Sequence, residues 1–150
     1  MLNIRTATPE DAEALHDLYH NHLTSNPPVE PQDMTVWREK LARFEKAPLY
    51  HLLVGEADGL VVSSATLIVI ENLTHNMRPY SVIENVVTHA DHRGKHYATE
   101  LMSRASEIAR ELDCYKIMLM TGSKKESTLN FYVNCGFNKD DKTGFVKWLQ

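Results

Sequence analysis

The chain is a mildly acidic polypeptide of 150 residues, with a formal net charge of −4 and 43% hydrophobic residues. This length is that of one ordinary domain with its own core, and we predict a single domain over residues 1–150. The acidic balance argues against a nucleic-acid-binding surface, and no apolar run is long enough to span a bilayer. The polar N-terminal segment and the two cysteines without paired spacing predict a cytoplasmic protein.

The hydrophobic periodicity predicts alternating strands and helices. A strand over Leu2–Arg5 precedes an N-cap and an N1 proline at Thr8 and Pro9, and two helices follow. The next predicted elements are strands over 51–54 and 60–70 joined by an Asp-Gly turn, a strand over 81–89, a helix over 98–112, a strand over 115–121, a helix over about 127–134 and a closing strand over 145–149. We therefore expect an α+β fold, in which helices cover both faces of a mixed, mostly antiparallel sheet with one parallel strand–helix–strand crossover.

A basic turn joins the strand over 81–89 to the long helix. It reads Arg93-Gly94-Lys95-His96-Tyr97-Ala98. A helix start offers unpaired backbone N–H groups and a partial positive charge, and Gly94 and Ala98 permit close approach of a ligand. The turn therefore predicts a diphosphate site, although such a turn can also be a solvated connection.

The same turn resembles the Arg/Gln-x-x-Gly-x-Gly/Ala motif of the GCN5-related N-acetyltransferases, with Arg93 and Ala98 at its first and last positions. The segments Ile83-Glu84-Asn85-Val86-Val87 and Phe131-Tyr132-Val133-Asn134-Cys135-Gly136-Phe137 also fall where that family has its fourth strand and its Tyr-x-x-x-Gly-Phe segment, so the resemblance covers nearly the whole chain. It implies that acetyl-CoA is the cosubstrate. His96 departs from the motif because it replaces the central glycine, but histidine tolerates a positive φ, so we expect the loop to form.

The predicted strand over 81–89 and the family resemblance both indicate candidate site residues. Glu84 lies within an apolar strand, where burial would raise its pKa and suit it to accept a proton from an ammonium; the alternative is an ion pair with a neighbouring strand. The resemblance assigns Glu84 as general base and Tyr132 as the acid that protonates the thiolate. It implies that a bulge at Asn85 opens the fourth strand. The cofactor-binding residues it implies are Asn85, Val86, Val87, Arg93, Gly94, Lys95, His96, Tyr97, Ala98, Thr99 and Ser127, although relatives often have an asparagine near Ser127.

Several alternatives compete with this interpretation. A metal enzyme would need converging ligands, and neither the set His89, His92 and His96 nor the pair His16 and His20 completes a recognisable site, so we expect no metal. A non-catalytic CoA-binding module on the same fold is a second alternative. For the acceptor amine, the local resemblance is to glucosamine-6-phosphate N-acetyltransferases, which implies a small-molecule substrate and a homodimer, while polyamines, aminoglycosides and peptide amines stay open.

Overall fold

In the computed structural model of the chain, which describes residues 1–149, five strands form one sheet in chain order. They are β1 (Asn3–Thr6), β2 (Tyr50–Ala57), β3 (Leu60–Ile70), β4 (Tyr80–Thr88) and β5 (Ile117–Leu119). The first four pair antiparallel. The strand β5 runs parallel to β4. The Ser81 N–H of β4 donates to the carbonyl of Lys116, the residue before β5, at 3.0 Å. The predicted mixed sheet is therefore confirmed.

Residues 1–149 also form four helices. They are α1 (Ala12–Asp17), which continues as a π-helix over Leu18–Leu23, α2 (Met34–Lys46), α3 (Tyr97–Glu111) and α4 (Glu126–Asn134). Short 3₁₀ turns lie at Pro9–Asp11 and Ala90–His92, and a one-turn segment with left-handed backbone lies at Thr74–Met77. Every helix within residues 1–149 is too short or too polar to traverse a bilayer.

The chain divides into two units, Met1–Met118 and Leu119–Gln150, each described by itself here. In the first unit, Leu52 and Val54 of β2 join a buried cluster with Leu15 of α1 and Leu41 of α2. The helix α3 contacts β2, β3 and β4 and buries one stripe of side chains, namely Leu101, Met102, Ala105, Ile108 and Ala109. This stripe follows the helical spacing in the sequence.

A β-bulge interrupts β4. Thr66 of β3 pairs with Glu84, whereas Ser64, two residues earlier, pairs with Val87, so β4 advances three residues while β3 advances two. Asn85 has a φ of 53°, in the left-handed region that asparagine tolerates better than most residues. The expected bulge at Asn85 is thus confirmed.

The predicted closing strand over residues 145–149 is wrong. These residues have no regular secondary structure, and Phe145 and Trp148 are 89% and 85% exposed. The apolar side chains among them favour a strand, but a strand needs a partner to supply its backbone hydrogen bonds, which composition does not reveal. The fifth strand is likewise shorter than the predicted 115–121.

Candidate functional site

The connection between β4 and α3 is a solvent-exposed turn with left-handed backbone. Gly94 and His96 both have positive φ values, 78° and 63°, and His96 is the N-cap of α3 without any side-chain capping bond. Its side chain is exposed, as are those of Lys95 and Thr99. A Cβ placed on Gly94 would have no atom within 4 Å, so the loop has free space in front of it. The expectation that the loop forms despite histidine at the glycine position is confirmed.

Arg93 is engaged with carbonyl groups of its own unit. Its Nε donates to the Thr88 carbonyl at 3.2 Å, and its Nη2 donates to the His22 carbonyl at 3.4 Å. The side chain is nevertheless exposed. Arg93 therefore fastens the loop to the end of β4 and to the π-helix, a positioning contact that the sequence alone does not predict.

Tyr97, the first residue of α3, packs against an apolar cluster formed by Leu2, Ala57 and Val62. This contact anchors the helix start on the sheet, so Tyr97 can offer its backbone N–H to a ligand while its ring serves the fold. Ala98 follows it as a half-buried residue.

The middle of β4 presents polar side chains to solvent. Glu84 and Asn85 are both exposed, so the expected burial of Glu84 is wrong. The strand's apolar pattern does not reveal that this stretch of the sheet is left uncovered. Among residues 1–149, no ion pair is recorded for Glu84, which also removes the alternative of a cross-strand partner. The carboxylate is therefore accessible to an incoming ligand.

Two tyrosines stand near this stretch of β4. Burial raises the pKa of Tyr50, and the Glu84 carboxylate raises it further, which places the two groups within electrostatic range. The Tyr19 hydroxyl lies 3.4 Å from the Ser64 Oγ, which itself donates to the Leu53 carbonyl at 2.9 Å, so Tyr19 is the donor in the first contact. Burial also raises the pKa of Tyr19, and both phenols stay neutral donors at physiological pH.

In the second unit, α4 holds Tyr132 between two aromatic rings. Its ring meets Phe131 edge-to-face at 5.0 Å and Phe137 at 6.4 Å between centroids. The helix ends at Asn134; two residues later Gly136 has a φ of 93°, and the Phe137 N–H donates to the Tyr132 carbonyl at 3.1 Å. The turn brings the Phe137 ring back towards Tyr132, and the contacts with both rings restrict the orientation of the tyrosine ring.

The side chain of Ser123 organises the start of α4. The Ser123 Oγ accepts from the Lys125 N–H at 3.3 Å and contacts the Thr128 Oγ1 at 3.3 Å. Ser127 is exposed on the first turn, and Lys125 is exposed as well. The hydroxyl of Ser127 is accessible there.

One group of metal-ligating side chains converges within residues 1–149. It consists of Asp17, His22 and His89, whose ligand atoms all lie within 4.8 Å of one another. Neither histidine set considered from the sequence forms such a group in this part of the chain. Asp17 and His22 are five residues apart, a spacing that a regular α-helix does not place on one face, so sequence reasoning missed the pair.

Comparisons with known proteins place these features in context. Residues 12–137 match the family model described as the acetyltransferase (GNAT) family. A glucosamine 6-phosphate N-acetyltransferase of Trypanosoma brucei brucei is 28% identical over 94% of this chain and 92% of its own length. A solved structure from Agrobacterium tumefaciens strain C58, with a general acetyltransferase description, is 36% identical, with a TM-score of 0.85 over 98% of this chain and 99% of its own. The glucosamine-6-phosphate N-acetyltransferase of Arabidopsis thaliana shares the fold at 18% identity, with a TM-score of 0.85 over 100% and 99% of the chains.

Proposed function

The chain belongs to the acetyltransferase (GNAT) family and is an N-acetyltransferase, and from that premise we propose that it transfers the acetyl group of acetyl-CoA to the primary amine of an amino sugar phosphate. Glucosamine 6-phosphate is the proposed acceptor, since the Trypanosoma relative named for it matches almost the full chain.

The observation that carries the proposal is the open start of α3. His96 in the left-handed conformation supplies no side-chain cap, so the first N–H groups of a 15-residue helix lack the usual side-chain acceptor. Together with the free space at Gly94, this arrangement suits the diphosphate of CoA. We assign the backbone of residues 93–99 to this contact, with Lys95 adding charge.

The exposed Glu84 supports general base catalysis. Its carboxylate takes a proton from the acceptor ammonium, directly or through a water, and the neutral amine nitrogen then attacks the thioester carbonyl carbon. A new C–N bond forms and the carbonyl oxygen becomes an oxyanion. Backbone N–H groups of Asn85, Val86 and Val87 are proposed to hold the pantetheine arm and this oxyanion, because the bulge frees part of β4 from its ladder with β3.

Collapse of the intermediate breaks the C–S bond, and we propose that the Tyr132 hydroxyl donates a proton to the departing thiolate. The ring contacts that hold Tyr132 support a fixed donor. The proton that the former amine nitrogen loses as the amide forms returns to the phenolate through water, and Glu84 releases its own proton to solvent. Ser127, exposed at the start of α4, is proposed to contact the pantetheine.

We further propose a cytoplasmic homodimer that takes no part in nucleic-acid or membrane binding. Support for the compartment comes from the cysteines, which are both free. Support for the dimer comes from the resemblance to amino sugar phosphate acetyltransferases, which share their active sites between two subunits. Light scattering coupled to size-exclusion chromatography tests it, and a particle with the mass of one chain would contradict it.

The test of the activity is a thiol-release assay with acetyl-CoA against glucosamine 6-phosphate, glucosamine, a polyamine, an aminoglycoside and a peptide amine. We expect saturable turnover with glucosamine 6-phosphate. The Glu84→Gln variant is expected to lower kcat/KM by about 10²–10⁴-fold, the usual contribution of a general base. Glu39→Gln, at an exposed position of α2, is the matched control and should leave the rate unchanged.

The outcomes separate the parts of the proposal. Failure of calorimetry to detect CoA binding would refute the diphosphate assignment. Turnover with a different amine would refute the acceptor alone, whereas full activity in Glu84→Gln would refute the base.

A further inference from the structure

We propose that Asp17, His22 and His89 form a binding site for a divalent transition-metal ion of the zinc type, placed beside the diphosphate loop. We call these residues the Asp17–His22–His89 cluster. Their ligand atoms lie within 4.8 Å of one another, and the two imidazole rings have centroids 4.0 Å apart. Two imidazoles and one carboxylate are a donor set that zinc and similar ions accept.

The π-helix brings the first two ligands together. In a π-helical turn the hydrogen bonds join residues i and i+5, and Asp17 and His22 are five apart where the α1 helix passes into the π-helix over Leu18–Leu23. The His22 Nε2 lies 3.8 Å from the Asp17 Oδ2. Such turns are rare in proteins as a whole, but those that occur are often found at functional sites.

A neighbouring amide orients the carboxylate. The Asn21 Nδ2 donates to the Asp17 Oδ1 at 2.7 Å, which leaves Oδ2 directed at His22. Hydrogen bonds of this kind fix ligands around metal ions. Asp17 is half exposed and His89 is partly exposed, so an ion can reach the cluster from solvent.

Without a bound ion, each imidazole accepts a hydrogen bond from a backbone N–H. The Ala90 N–H donates to the His22 Nδ1 at 3.3 Å, and the Asp91 N–H donates to the His89 Nδ1 at 3.2 Å. Next to them, His92 has a buried Nδ1 without a recorded partner among residues 1–149, and its ring centroid lies 5.6 Å from that of His89. His92 therefore lies beside the cluster without being one of its three converging groups.

Metal binding at this cluster would change the loop. If an ion takes Nδ1 of either ring, that lone pair is no longer available to the backbone; if it takes Nε2, the neutral ring must carry its proton on Nδ1. In both cases the two N–H bonds from Ala90 and Asp91 are lost. These bonds hold the 3₁₀ turn that leads into Arg93 and Gly94.

The site is thus expected to couple metal binding to the diphosphate loop. Binding of the ion itself does not depend on the proposed function, but its effect on CoA does. Because linkage is reciprocal, an ion that loosens the turn should weaken CoA binding, and CoA should weaken binding of the ion, each by about fivefold or more.

The test uses Co²⁺ as a spectroscopic probe with the purified chain. We expect visible absorption bands of protein-bound Co²⁺ that saturate at one ion per chain and are displaced by Zn²⁺. Asp17→Asn keeps the acceptor for Asn21 but loses the charge, and should weaken Co²⁺ binding by at least about tenfold. His89→Gln should weaken it at least as much. The matched control is His75→Gln, at an exposed histidine in the turn before β4.

Co²⁺ binding that is unchanged in both cluster variants, or reduced equally in His75→Gln, would overturn the assignment. No saturable absorption in the wild-type chain would overturn it as well. Near- and far-ultraviolet circular dichroism of each variant shows whether a loss of Co²⁺ binding comes from unfolding. If His89→Gln unfolds, the result with Asp17→Asn decides the assignment, because asparagine has nearly the same shape as aspartate. Metal binding with no effect on CoA affinity would refute the coupling and leave the ion site standing.

Discussion

Replacing Arg5 by methionine should destabilise the first unit more than the same replacement at a surface arginine. The guanidinium of Arg5 donates to both carboxylate oxygens of Asp11, at 2.7 and 2.9 Å, and its Nε donates to Glu56 at 3.1 Å. Asp11 is only 5% exposed, and its Oδ2 also accepts from the Thr8 N–H at 2.8 Å. Arg5→Met therefore leaves a buried carboxylate with only the Thr8 N–H and a long contact of 3.4 Å from the Thr8 Oγ1 in place of four donors.

The magnitude follows from this geometry. Breaking a fully buried ion pair costs about 3–5 kcal/mol, because the remaining charge is left without compensation. The Arg5 side chain is 34% exposed, so water screens part of the interaction and the expected loss falls to about 2 kcal/mol. The free energy of unfolding from urea titrations, followed by circular dichroism, measures it.

The matched control is Arg104→Met, which makes the same chemical change on the surface of α3. Arg104 is 40% exposed and pairs with Glu107 and Glu111 at 3.0 and 3.2 Å. Exposed pairs of this kind contribute about 0.3–0.5 kcal/mol. If Arg5→Met falls within about 0.5 kcal/mol of Arg104→Met, the reasoning from burial is refuted.

A pH series adds a second readout. Burial alone would raise the pKa of Asp11, but hydrogen bonds from the Arg5 guanidinium and the Thr8 N–H outweigh it and hold the pKa below its usual value. The folded-state pKa is therefore lower than the unfolded one, so the stabilisation is present above the unfolded pKa, about 3.9, and is lost as the pH falls through the folded pKa. The difference between wild type and Arg5→Met should shrink in acid.

Two further predictions concern packing and thiol reactivity. A Cβ on Gly55 would lie 2.4 Å from the Ser63 Oγ, so Gly55→Ala should lower the free energy of unfolding in urea by about 1–3 kcal/mol. A Cβ on Gly122 would have no atom within 4 Å, so Gly122→Ala should lower it by less than about 0.5 kcal/mol. Equal losses in the two variants would refute the packing argument. Burial raises the pKa of both Cys114 and Cys135, so iodoacetamide should modify them more slowly at neutral pH than a free cysteine peptide, and mass spectrometry that shows peptide-like rates would contradict this.

The local signals in the sequence predicted most of the sheet. The Asp58-Gly59 dipeptide indicated a hairpin, and both residues have positive φ values, 52° and 76°, as the tight turn between β2 and β3 requires. The apolar stripe of α3 and the glycine-containing loop before it were predicted as well, because helical periodicity and turn residues can be recognised within a short stretch of sequence. These features depend on neighbours along the chain.

The features that the sequence did not predict depend on neighbours in space. The exposure of Glu84 reflects what the helices leave uncovered, and a strand pattern contains no information about that. The π-helix over Leu18–Leu23 inserts an extra residue into a turn that looks α-helical by its periodicity, so the approach of Asp17 to His22 could not be read from spacing. At 145–149 the apolar composition likewise favours a strand, but composition does not decide whether the backbone pairs with a neighbouring strand.

The bulge in β4 depends both on neighbours along the chain and on neighbours in space. A regular ladder from the Thr66–Glu84 pair would place Val86 opposite Ser64; the extra residue places Val87 there instead, where it is 4% exposed. Burial of Val87 and exposure of Glu84 therefore coexist on one strand because a residue between them opposes nothing on β3. Asparagine at position 85 satisfies the left-handed backbone that this requires, so the polar residue that interrupts an apolar strand is explained by backbone geometry before any contact with a ligand is considered.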